Sequence, residues 1–152
     1  VPAADLGQRA RYVSAFDASV GSATLPQGSL YSVAGNGFNL IEAHFMRSGA
    51  AAGLAVRLQR LTSAGTPGAT QAIGKYDDDG PAALCLPKLT HTVAPTLGQN
   101  LHVVRLPTSA STGVIWTFHD TPIKINVGTA NGCGWLPTTP SGAADVTFVW
   151  EE

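Results

Sequence analysis

"IWTFHDTPIKINVGTANGCGWL", residues 115–136, holds two of the three tryptophans, a His-Asp pair and one of the two cysteines. It is either a reactive cluster or a set of strands joined by turns, and that choice decides the fold. Nucleophilic catalysis needs a nucleophile, a base and an orienting acid that meet in space. Neighbouring residues on a strand point to opposite faces, so His119 and Asp120 do not meet as a pair. No G-x-S-x-G elbow is present to supply a nucleophile. In "PIKINV" (122–127), Ile123, Ile125 and Val127 alternate with Lys124 and Asn126, which is the period of a half-buried strand. The expectation is two strands, "VIWTF" and "PIKINV", around an "HDT" turn. "GTANGCG" then reads as a glycine-rich turn that leaves Trp135 an exposed aromatic, while Trp116 and Trp150 fall on apolar strand faces.

The same period recurs outward from this segment. In "GLAVRLQRL" (53–61), Leu54, Val56 and Leu58 point one way and Ala55, Arg57 and Gln59 the other. "FNLIEAHFMR" (38–47) sets Ile41, Ala43 and Phe45 against Glu42 and His44. Gly35-Asn36-Gly37 before it is a turn signal. Residues 10–20, 71–76, 100–106 and 145–150 read as further strands, and 91–99 as an extended, turn-rich stretch. Residues 4–13 are a weak helical candidate; Gly49 and Gly53 argue against a helix over 48–58. About nine short strands separated by turn residues mean an antiparallel β-sandwich, jelly-roll-like at this length. With no repeat or linker visible, residues 1–152 read as one all-β domain, with 1–12 as an N-terminal arm carrying Arg9 and Arg11.

Composition narrows the function classes. Only 12% of the 152 residues are charged, about half the usual share. A weakly charged surface points to partial cover by neighbours, and the composition equally suits a secreted domain. The nine basic residues are scattered and the net charge is −1, unlike the clustered Lys/Arg of a nucleic-acid footprint. No apolar run approaches the roughly 20 residues of a membrane span, and "VPAADLGQRARY" lacks the apolar stretch of a signal peptide. Cys85 and Cys133 read as two part-buried free thiols, and neither forms a C-x-x-C zinc motif. "YDDDG" (76–80) lacks the ligand spacing of a calcium loop and reads as a solvated turn. His44, His91, His102 and His119 are spread along the chain, and no carboxylate pair stands out for glycoside hydrolysis. Glu151 and Glu152 read as solvated. No cofactor motif is present, and none is expected.

"LQRLTSAGTPGATQ" (58–71), "HTVAPTLG" (91–98), "GVIWTF" (113–118), "GTANGCGWL" (128–136) and "ADVTFVWEE" (144–152) occur in this order. The series resembles small structural proteins of tailed bacteriophages of actinobacteria over roughly residues 38–152. The resemblance implies a virion component with a sandwich or jelly-roll fold, no enzymatic activity and no cofactor. It further implies a capsid decoration or minor capsid role, as a homo-oligomer, most simply a trimer, on the outside of the shell, with the major capsid protein as partner. Assembly would take place in the host cytoplasm, without membrane or specific nucleic-acid binding. The interface candidates are then Arg9, Arg11, Arg57, Gln59, Lys124, Asn126 and Trp135. The alternative is a carbohydrate-binding or receptor-binding module of a phage tail, with Trp135 as its stacking platform.

Overall fold

The alternation of residues 53–61 becomes strand β4 (Ala55–Leu61), and its register shows how the chain is wound. In the computed structural model, which describes residues 10–48, 54–138 and 141–152, β4 lies between β10 (Gly132–Pro137) and β7 (Leu97–Arg105). Beyond β10 come β2 (Gly28–Tyr31) and then β6 (Leu86–Lys88), completing a five-stranded sheet. The other sheet runs β5 (Gly74–Lys75), β1 (Arg11–Gly21), β11 (Ser141–Glu151), β3 (Phe38–Arg47), β8 (Gly113–Thr117), with β9 (Ile123–Ile125) also paired to β3. Every pairing is antiparallel.

The pairings are nested. β1 pairs with β11, β2 with β10, β3 with β8 and β9, and β4 with β7. The chain is thus one long antiparallel ribbon folded back and forth between two sheets, which is a jelly roll. The expected fold class holds. The strand count is eleven among the described residues against about nine expected: β5 falls within the strand expected over 71–76, β6 spans three residues, too short to show a period, and β10 lies where a turn was expected.

The largest difference is β10. "GCGWLP" is not a turn but an inner strand of its sheet, buried along its whole length. Its glycines serve close packing: a Cβ on Gly132 would come within 2.5 Å of the Leu30 carbonyl oxygen and 2.7 Å of the Tyr31 ring. Cys133 and Trp135 point into the core between the sheets, while Leu136 packs with Tyr31 and Leu61 on the outer face. The Gly35 turn forms as expected, with φ of 90° and Val33 bridged to Asn36.

Tyr12, Phe16, Phe45, Phe148 and Trp150 from one sheet meet Leu30, Val56, Leu58 and Trp135 from the other. Aromatic edges and faces fill this core: Phe16 meets Phe148 at 6.0 Å and 87°, and Trp116 stacks on Trp135 at 5.1 Å and 21°. Such pairs add to the burial energy. Residues 1–9 of the expected arm lie outside the described residues. Arg11 and Tyr12 do not belong to an arm; they are the start of β1.

Candidate functional site

The two sheets differ in what lies on their outer faces. That of the five-stranded sheet is covered by the chain itself. Residues 62–66 and 91–96 lie against it as a strap, bridged at Thr66–Val93, while Thr70 bridges Lys88 at the β6 edge and residues 71–72 reach β1 of the other sheet. The Tyr31 hydroxyl lies 3.0 Å from His91 Nε2, and Ala64 and Leu97 pack on Tyr31, Leu61 and Leu136. Burial pushes the Tyr31 phenol up and the His91 imidazole down, so both are held neutral.

Burial corrects two of the interface candidates, Gln59 and Trp135, and leaves Arg57 half-exposed. Gln59 is only 6% exposed, with Nε2 donating to the Gly98 carbonyl. Arg57 is half-buried and donates to the Ala23 carbonyl. Trp135 is fully buried beneath Trp116, not an exposed platform. Arg57 and Gln59 do alternate outward from the core, as their spacing requires, and there they bond to the carbonyls of Ala23 in the β1–β2 loop and Gly98 in β7.

Among the described residues, the six-stranded sheet exposes Ala15, Met46, Ile115, Thr117 and Asp145 on its outer face, while Val149 is buried there. Its registers align side chains into rows across four strands. One row is Val13, Val149, Glu42 and Thr117; the next is Ala15, Thr147, His44 and Ile115. Met46 follows, between Asp145 and Gly113. Ile115 is 58% exposed and Met46 37%.

The carboxylate in the middle of this grid is hydrogen-bonded locally. Glu42 Oε2 lies 3.0 Å from His44 Nε2, and its Oε1 lies 2.8 Å from His119 Nε2. Burial pushes the Glu42 carboxyl up, but the hydrogen bonds and charges of the two imidazoles outweigh it and hold it below its ordinary value. An ionised carboxylate only accepts, so both Nε2 atoms carry hydrogen and donate. His119 therefore does not pair with Asp120, as its strand-end position implied, but it does find a carboxylate 77 positions away in sequence. No local pattern carries that contact. Among the described residues, no group of three or more His, Cys, Asp or Glu is arranged to hold a metal ion.

The remaining candidates are dispersed. Arg9 lies outside the described residues. Arg11 pairs with Glu151 at 2.5 Å and sits over the Tyr76 ring. Lys124 and Asn126 are exposed and together line a cleft beside β9. Glu151 and Glu152 are not solvated ends: Glu152 accepts from Asn36 Nδ2, Trp150 Nε1 and the amides of Leu84 and Cys85. His102 packs at a tilt against Trp116 at 4.7 Å and Phe118 at 5.3 Å. Cys85 and Cys133 are free and fully buried; burial pushes the Cys133 thiol up to about 12, which keeps it unreactive. The DDDG stretch is an exposed turn closed by the Gly80 amide on the Asp77 carbonyl. Among the described residues no helix is long and apolar enough to cross a membrane. No family model matches this sequence, and no curated protein or solved structure matches it.

Proposed function

We propose that this chain is a structural protein of a bacteriophage virion, a capsid decoration or minor capsid protein. It docks as a trimer on the outside of the shell, with the major capsid protein as partner, and has no catalytic role. The observation that carries this reading is the open outer face of the six-stranded sheet. Its exposed centre, Ala15, Met46, Ile115 and Thr117, surrounds a carboxylate hydrogen-bonded to two imidazoles, with charged residues such as Arg11, Asp145 and Glu151 toward the margins; this pattern suits an interface with an apolar centre and a polar rim. Burying an unpaired charge is costly, whereas a paired one is tolerated. The resemblance of the segments over residues 38–152 to phage structural proteins points the same way. The fold by itself does not, because sandwiches host many functions.

Decoration has a simple physical basis. Apolar area buried across shell subunits contributes about 25 cal/mol per Å² before the costs of association. Those contacts must break before the shell opens, and symmetry repeats them over many copies. The test is binding of the purified chain to shells that lack it. Ile115→Asp, which puts a charge on an already exposed position, weakens binding at least about tenfold. Val93→Asp, on the strap of the opposite sheet and 56% exposed, leaves it unchanged. Equal binding by both variants would remove this face from the interface. The tail glycan-binding alternative loses the platform it was given, since Trp135 is in the core.

A further inference from the structure

At the end of the molecule where β9 pairs with β3 there is a cleft of ≈ 460 Å³, within the roughly 300–1,000 Å³ range of small-ligand sites. Asn39 and Lys124 face each other across the β3–β9 pair, and Asn126 follows two residues on. Among the described residues, none of these three side chains has a hydrogen bond or ion pair within the chain; the contact at Lys124 is to its backbone carbonyl. The rest of the lining is satisfied and fixed. Asn36 Nδ2 donates to Glu152 Oε2 at 2.8 Å, and Asn131 Nδ2 holds the Val127 carbonyl at 2.9 Å. Ile125, only 2% exposed, anchors β9 in the core behind the cleft.

The groups left available select a chemistry. Each Glu152 oxygen already accepts two N–H groups, so this carboxylate has little left to offer a ligand. Arg60 holds the backbone of Lys124 in place by donating to its carbonyl at 2.9 Å. What remains is one free ammonium, two free amides that both donate and accept, and an apolar edge at Val127, 57% exposed. An ammonium matches a carboxylate, amides match adjacent hydroxyls, and the apolar edge matches the C–H face of a ring. We infer that this cleft binds an acidic saccharide, with its carboxylate on Lys124 and its hydroxyls on Asn39 and Asn126. The walls are preorganised, which lowers the cost of binding.

This inference does not depend on shell docking, and it uses different residues. The test is an NMR titration of the full chain with glucuronate, galacturonate, N-acetylneuraminate and N-acetylmuramate, with glucose as the neutral control. At least one acid gives saturable shifts at the side-chain amides of Asn39 and Asn126. Lys124→Ala, at an exposed position, weakens that binding at least about tenfold and leaves the rest of the spectrum unchanged. The inference is overturned if none of the four acids moves these amides, if Lys124→Ala binds as tightly as the parent, or if glucose binds equally well.

Discussion

Glu152 shows how much one side chain can hold at the residue scale. Its carboxylate ties together three pieces of chain: the Asn36 turn, the 84–85 segment and the Trp150 indole at the end of β11. Hydrogen bonds to a charged acceptor contribute more than neutral ones, and a donor left without a partner loses its desolvation energy. Glu152→Ala therefore costs about 2–3 kcal/mol in urea unfolding; a loss under about 0.5 kcal/mol would show that water replaces all four bonds. Nothing local announces this role. A glutamate beside another glutamate reads as solvated, and its partners lie up to 116 positions away. Trp135 was misread for a related reason. Glycines on both sides of Cys133 suggest a turn, yet Gly132 is small because the Tyr31 ring lies against it, a requirement set by a strand distant in sequence.

At the scale of elements, strands with a clean period of two were legible. β3, β4 and the end of β11 sit where the alternation places them, because each buries one face in the shared core. β7 was only partly legible: its pairing with β4 shifts twice, between Leu58 and Gln59 and between Gln59 and Leu61. Bulges of this kind break the alternation, and they also twist an edge strand away from unwanted pairing. The strap over the five-stranded sheet has no period at all, and it is held by the Tyr31–His91 contact. That contact makes the strap sensitive to acid. Burial lowers the His91 pKa below its ordinary 6.5 in the folded state, so the neutral form is favoured on folding. The stabilisation is complete above 6.5 and is lost as pH falls toward the folded value. His91→Gln removes this part of the pH dependence. The urea midpoint of the parent then falls more than that of the variant between about pH 8 and about pH 5. Parallel pH profiles would assign the acid sensitivity in this window to a group other than His91; the lowered Glu42 carboxyl contributes only below 4.5.

At the scale of the whole molecule, fold class was legible and pairing order was not. Alternation says that a strand has a buried face, but not which strand lies beside it. The nesting of β1 with β11 and β2 with β10 emerges only when both ends of the chain are in place. That order also creates the contrast between the two outer faces. The long connections between β4 and β7 fold over one sheet, while the other stays open around Glu42, His44 and Ile115. The measurement that bears most directly on a shell role is the number of copies of this chain in purified virions, by quantitative mass spectrometry against the major capsid protein. A copy number of the same order as the capsid protein is the predicted result. A number lower by an order of magnitude, or absence from virions, would contradict decoration of the shell.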